Sequence, residues 1–399
     1  MSAYSKKLIF AAGCMGMLIF GIVITLIGSV LPSVIVKFNI ELADAGSLFI
    51  MMSMGMMIGS LIFGPLVDRY GYKGLLVANA ALVFAGIEGI AFAPSSYMLM
   101  VSLFIVGFAG GAVNGGTNAL ISDISTENRG SGLSLLGVFF GIGALSVPFI
   151  LGTLLDRFSY ENLIGFVGAL ILLPLLFFTL LKFPSPKHGQ GFPVKEGLKL
   201  FKEPALLLFG LILFIQSGME MTVSGWSATF MIKELSIQDS HSVLFLSFYW
   251  FGLIVARLII SEILRRTSMT RVMRVSLSVS VAGSLLLVFS TGPWLALPAL
   301  FITGIGFAAI FPLVFAYVGN LFPKYSGTAF SIILTIALFG GMSLPYIAGL
   351  LAGAFNLRAS LAIVPVCMII TLTIFRKAHK MGMSHTLPIQ KHPKTKKNI

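Results

Sequence analysis

Apolar residues in this chain run in long blocks, not in the alternation of a half-buried strand or the stripe of a soluble helix. Stretches 8–36, 75–93 and 205–230 are each long enough to cross ~30 Å of hydrocarbon as helix. Breaks rich in charge, Pro or Gly divide the chain into twelve predicted spans. These are roughly 8–36, 44–67, 74–93, 97–121, 130–155, 161–183, 204–232, 240–264, 271–291, 293–320, 325–351 and 356–377. The breaks at Pro94-Ser95-Ser96 and Thr291-Gly292-Pro293 are the shortest, and neither carries charge.

Composition agrees with the pattern and excludes a soluble fold. Hydrophobic residues make up 57% of 399 positions and charged residues 10%, against about 25% charged in soluble domains. Mean hydropathy is +0.99. The predicted fold class is an all-α polytopic membrane protein with twelve transmembrane helices. The first block is too long for a signal-peptide core and lacks a small-residue cleavage site, so it is expected to stay as the first span. Cys14 and Cys367 lie inside apolar blocks and offer neither a disulfide framework nor metal spacing. No cofactor and no metal are expected.

Charge sets the predicted orientation. With twelve spans, only Lys37, Arg157, Lys233 and Arg358 of the 27 Lys and Arg fall on one side, and Arg257 falls inside a span. All the others share the side that holds both termini. The positive-inside rule makes that side cytoplasmic, and the net charge of +13 then reports topology and anionic lipid rather than nucleic acid. The longest polar interval lies midway on this side. In it Val194, Leu198 and Phe201 recur at helical spacing beside Lys195, Lys199 and Lys202, as in a short helix lying on the inner membrane face. The expected organisation is a six-helix bundle (1–183), a cytoplasmic linker (184–203), a second six-helix bundle (204–377) and a basic cytoplasmic tail (378–399).

A repeated phrase supports the division. GALSVPFILG at 143–152 returns as GGMSLPYIAG at 340–349, with Pro148 and Pro345 standing 197 residues apart. It falls in the fifth span of each half. Two pseudo-symmetric six-helix bundles related by an axis along the membrane normal are a transporter architecture.

The stretch GPLVDRYGYKG at 64–74 resembles the signature loop of the major facilitator superfamily. SLLGVFFGIGALSVP (134–148), SGMEMTVSGW (217–226), FYWFGLIVARLI (248–259) and GIGFAAIFP (304–312) are similar to its fucose–galactose–glucose symporter branch. The resemblance covers nearly the whole chain. It implies a major facilitator fold, a monomer in a bacterial cytoplasmic membrane, and alternating access to a midplane site. It assigns gating to the loop residues Gly64, Asp68, Arg69, Gly71 and Lys73, with the acidic group facing the start of helix eleven near Tyr325–Ser326. Asp123, Glu127 and Arg129 form a second charged cluster on that side, read as a gate element or a solvated loop.

Polar residues inside spans mark candidate substrate contacts, because each costs free energy in hydrocarbon. Thr25, Ser29 and Ser33 are spaced by four in span one, Asn114 and Asn118 in span four, and Gln216, Glu220 and Ser224 in span seven. Residues four apart share a helix face, so each span carries a polar stripe; bridging between helices is the competing reading. Span ten offers Thr303 as its clearest polar member. Glu220, sixteen residues past Pro204, falls near mid-membrane. Its charge costs about 2.5–3.5 kcal/mol there on insertion scales, and taking a proton removes that cost, which makes Glu220 the candidate for proton coupling. Pairing with Arg257 is the structural alternative. Arg257 shares a face of span eight with Trp250, and Trp226, Tyr249 and Trp250 are candidate stacking surfaces or, equally, packing residues. Glu88 lies near the outer end of span three and is expected to reach toward water.

The branch resemblance also implies carboxylates in helices one and four, but they fall on Gly28 and Asn114, and an Asn and a His expected in helix five fall on Ser134 and Gly137. Only Glu220 keeps a carboxylate, so coupling through Glu220, through another ion, or no coupling at all stay open. The expected function is secondary transport of a small polar solute, with a monosaccharide first. Drug or metabolite efflux and a non-transporting sensor on the same scaffold are the alternatives. No nucleophile–base pair or metal cluster suggests an enzyme.

Overall fold

The computed structural model describes residues 4–124, 129–185, 200, 203–322 and 326–385. Twelve helices among them are long and apolar enough to span a membrane. They are α1 (Lys6–Phe38), α2 (Leu42–Val67), α3 (Arg69–Ala91), α4 (Ser96–Ile124), α5 (Leu135–Leu154), α6 (Tyr160–Leu180), α7 (Pro204–Leu235), α8 (Asp239–Arg266), α9 (Met269–Val288), α10 (Pro293–Leu321), α11 (Ala329–Ala354) and α12 (Leu357–His379). Each predicted span coincides with one of them, with ends shifted by a few residues. The linker pattern at Val194, Leu198 and Phe201 lies outside the described residues, as do Glu127, Tyr325 and the tail beyond 385.

Two features of the path were not expected. Between α2 and α3 the helix continues with only one residue out of helical conformation, Gly71 (φ 70°, ψ 171°). A positive φ of this size is open to glycine at no steric cost, so the signature stretch is a tight corner between two helices. Helices α6 and α10 each break, at Ile171 and at Ala308–Ala309. Pro174 and Pro312 explain the breaks. Each lacks the N–H that would bond four residues back, so the helix is interrupted and restarts with proline in its first turn.

The two halves pack alike. Helix α1 lies against α5 and α7 against α11, while α2 crosses α4 and α8 crosses α10. Between the halves α5 meets α8, α2 meets α11, and α1 meets α7. Exchanging each helix with the one six later maps this set onto itself, as a two-fold pseudo-axis requires.

Backbone contact accounts for the repeated phrase. A Cβ on Gly143 would overlap the carbonyl of Leu18 in α1, and one on Gly340 would overlap that of Phe214 in α7. The closing glycines serve the seam between halves: Gly152 abuts Leu244 of α8, and Gly349 abuts Gly46 of α2. The 197-residue interval holds elsewhere too. Gly55 sits on the Phe104 carbonyl and Gly107 on that of Met52, and their counterparts Gly252 and Gly304 sit on those of Phe301 and Tyr249. Small residues let helix backbones approach in a medium without a hydrophobic drive between them.

Other positions 197 apart have diverged. Lys37 bonds Glu161 at 3.3 Å and ties α1 to α6. Their counterparts, Glu234 and Arg358, carry the opposite charges. Glu234 accepts from the Leu357 N–H at the start of α12 (3.1 Å), and Arg358 donates to the Val288 and Ser290 carbonyls after α9. Glu88 is half-buried, with its carboxylate laid against Gly165 and Gly168 of α6. It is held against a neighbouring helix rather than extended into water.

Overpacking a closed core costs about 1–3 kcal/mol. Gly143→Val and Gly340→Val should each lower the thermal stability of detergent-purified protein by about that much. Gly64→Val, with open space around its Cα, should leave it within about 0.5 kcal/mol of the unaltered protein.

Candidate functional site

Each half carries polar groups at mid-span. On α7, Gln216 and Glu220 stand one turn apart, and the Gln216 amide donates to the Glu220 carboxylate (Nε2 to Oε2, 3.1 Å). Arg257 on α8 lies within electrostatic reach of Glu220 without closing a direct ion pair. Its guanidinium sits over the Phe140 ring of α5, 5.6 Å from the centroid, with Gly137 of α5 alongside. That is a cation–π contact across the seam between halves. Glu220 and Arg257 are enclosed by helices, yet both keep partial solvent accessibility.

The N-terminal half adds an amide pair. Asn118 donates to the Asn114 backbone and side-chain carbonyls, both at 2.9 Å, and touches Met17 Sδ of α1 at 3.8 Å. Both asparagines are half-buried. Counting 197 residues on from them reaches Phe311 and Phe315 in the second piece of α10. These rings stack at 4.9 Å, and Phe330 of α11 joins Phe315 at 4.9 Å. All three are half-buried. The same face thus carries amides in one half and phenyl rings in the other. Residue-by-residue reading passed over this trio because apolar rings in an apolar span carry no contrast; the repeat interval is the signal that finds them.

The remaining candidates fall into different settings. Thr25 and Ser29 are fully buried and bond carbonyls of their own helix, Gly21 and Thr25. Thr303 does likewise, to Ala299, and packs on Gly283 of α9. Trp226 is fully buried: its indole N–H donates to the Pro345 carbonyl (3.1 Å), and its ring lies against Phe49 of α2. Tyr249 and Trp250 are fully buried edge-to-face, and Trp250 meets Phe140 in the same way. None of the three presents an open ring face in this conformation. The Tyr249 hydroxyl, the Trp250 N–H, Arg257 Nε and Gln216 Oε1 nevertheless lack hydrogen-bond partners.

The described hydrogen bonds of the corner between α2 and α3 join it to α6 and α4. Lys73 donates to the Thr179 carbonyl at the end of α6 (2.6 Å), Tyr72 to Asp123 of α4 (2.7 Å), and Arg69 lies over Tyr70. The side chains of Asp68 and Arg129 lie outside the described residues. Gly64 faces open space.

Close approaches between the halves run from mid-span to the end away from the termini. There Trp226 and Phe49 pack, Gly28 abuts the Ser224 carbonyl, and Gln238 donates to Asp156 (3.0 Å). At mid-span Ser53 donates to the Gly341 carbonyl (3.4 Å), the one that Pro345 deprives of its helical partner. Among the described residues, these contacts close the bundle at this far end, and a Cβ on Gly64 near the other end would meet nothing.

The sequence profile of the Major Facilitator Superfamily matches residues 13–342 and, again, 268–397. The chain belongs to that superfamily. It is an integral membrane transporter rather than an enzyme. It is 23% identical over 340 residues to the glucose/mannose transporter GlcP of Bacillus subtilis, covering 82% of this chain and 84% of that one. It is 26% identical over 323 residues to the multi-drug resistance efflux pump PmrA of Streptococcus pneumoniae, covering 77% and 79%. Its fold matches a crystal structure of a D-xylose–proton symporter with TM-score 0.79 at 14% identity, over 93% of this chain and 97% of that one. The nucleoside transporter NupG matches with TM-score 0.79 at 14% identity, over 94% and 99%.

This geometry sets the expected labelling of introduced cysteines. Asn118→Cys should react with a membrane-impermeant maleimide applied to the terminus-bearing side. Ser224→Cys, buried in the far-end seal, should stay unlabelled from the far side in the same conformation. The opposite pattern would mean that the other end is open.

Proposed function

We propose that this transporter carries a monosaccharide or similar hydroxylated ring through a site between its halves, with Glu220 as the proton-coupling group. The observation carrying the proposal is the placement of Glu220: half-buried at mid-span, bonded to a neutral amide and near Arg257 without a direct ion pair. Its charge is costly at that depth, and a bound proton removes the cost. A carboxylate fixed by a short ion pair would gain less from the exchange.

The two walls suit such a solute. Asn114 and Asn118 offer amide donors and acceptors to hydroxyls, and the Phe311–Phe315–Phe330 stack offers flat apolar surface to ring C–H groups. Arg257 and the unpaired Gln216 oxygen add a donor and an acceptor between them. The positive-inside rule makes the terminus-bearing end cytoplasmic, which makes this conformation inward-facing. The halves rock about the site, and the α2–α3 corner with Asp68, Gly71 and Lys73 braces the alternate state. In keeping with its relatives, the protein is assigned to a bacterial cytoplasmic membrane.

Efflux of an apolar cation is the second reading, favoured by the phenyl stack and by the resemblance to PmrA. Purified protein in liposomes separates the two. Monosaccharide counterflow with no lipophilic-cation flux supports the first reading, and the reverse supports the second. With sugar as solute, Glu220→Gln should abolish pH-gradient-driven accumulation and preserve exchange; unchanged accumulation rejects coupling through Glu220. The double variant Phe311→Ala/Phe315→Ala should raise the sugar KM about tenfold, since each lost ring contact is worth about 0.5–1.5 kcal/mol.

A further inference from the structure

Six aromatic side chains project from the far end of the bundle, each more than half exposed: Phe92, Tyr97, Phe158, Phe289, Trp294 and Phe355. They form three pairs at the 197-residue interval, Phe92 with Phe289, Tyr97 with Trp294, and Phe158 with Phe355. Each pair takes the same place in its half. Phe92 and Phe289 directly follow α3 and α9, Tyr97 and Trp294 stand in the first turns of α4 and α10, and Phe158 and Phe355 lie in the links α5–α6 and α11–α12.

Packing within the protein does not account for the agreement, because these rings are exposed. Nor has the repeat simply failed to diverge. The paired charges Lys37 and Glu161 have reversed sign in the second half, and Asn114 and Asn118 have become phenylalanines. Aromatic character at all six exposed positions points to a contact outside the chain that both halves share.

We infer that these six rings form a collar that inserts into the headgroup and glycerol layer of the lipid around the far end. Three arguments select lipid over a second copy of the chain. All six sit at the ends of membrane-crossing helices, the level at which amphipathic rings are favoured. The pseudo-axis places the members of each pair on opposite flanks, whereas an interface between two copies would gather them on one. The set includes tryptophan and tyrosine, whose polar tips face headgroups while their rings meet acyl chains. The collar holds both bundles at one depth, so each half pivots against a fixed lipid plane as the far end opens and closes.

Trp294 gives a direct test. It is 94% exposed, whereas the other two tryptophans, Trp226 and Trp250, are fully buried. Full-length protein is reconstituted in phosphatidylcholine vesicles with bromine on the acyl chain either near the headgroup or near the methyl end. The emission lost in Trp294→Phe isolates the Trp294 signal. Quenching by the shallow bromines should exceed that by the deep ones at least about twofold, iodide in the buffer should quench little, and the emission should lie to the blue of tryptophan in water. Tyr97→Trp in the Trp294→Phe background should report the same depth on the opposite flank. Strong iodide quenching with water-like emission would place the rings in solvent and overturn the collar. Protection from both iodide and brominated lipid would place them against protein, and would overturn it equally.

Discussion

Inside a membrane-spanning bundle, a polar group must be answered by another polar group or by water, and the rest of this structure follows from how that demand is met. The helix backbones answer themselves. Buried hydroxyls such as Thr25, Ser29, Thr222 and Thr303 bond carbonyls of their own helix. Where proline frees a carbonyl, the other half can supply the partner, as Ser53 does for Gly341. Among the buried groups left without a partner are Gln216 Oε1 and Arg257 Nε beside Glu220, and the neighbouring Tyr249 hydroxyl and Trp250 N–H. Arg257 lies at the seam between the halves, over the Phe140 ring of α5.

Which parts of this were legible in the sequence depended on contrast. Twelve spans could be read because a run of about twenty apolar residues differs from everything around it. The midplane carboxylate stood out in the same way. Side-chain direction was harder. Trp250 and Arg257 share a helix face, yet periodicity does not say whether that face meets a neighbour or a passage. The ring of Trp250 proved to be packed against Phe140 and Tyr249. Trp226 likewise belongs to the seal, where its N–H finds the Pro345 carbonyl of α11, 119 positions along the chain. Pro174 and Pro312 were visible, but their breaks show only once the helix on either side is known to continue.

The repeat interval carries more information than any single motif. Where positions 197 apart agree, they mark contacts whose geometry both halves must share: glycines under neighbouring carbonyls, and exposed rings at the far end. Where they differ, they mark places free to specialise. The ties at the far end exchanged their charges and found new partners, Leu357 N–H for Glu234 and two α9-end carbonyls for Arg358. The site exchanged amides for phenyl rings.

That asymmetry bears on how a rocking bundle can bind anything selectively. Two identical walls related by a two-fold axis would favour a ligand with matching symmetry, and most solutes have none. In the proposed site, amides on one side and rings on the other would distinguish the two faces of one ligand and favour a single orientation. The glycine contacts inside each half stay the same because both halves rely on the same close approach of helix backbones. Gly143 against Leu18 and Gly340 against Phe214 keep each half internally tight. The contacts between the halves combine glycine approaches of the same kind, Gly28 on Ser224, Gly152 on Leu244 and Gly349 on Gly46, with Trp226 on Phe49, Gln238 on Asp156 and Ser53 on Gly341. Each of the last three is a single ring contact or hydrogen bond, worth about 0.5–1.5 kcal/mol net.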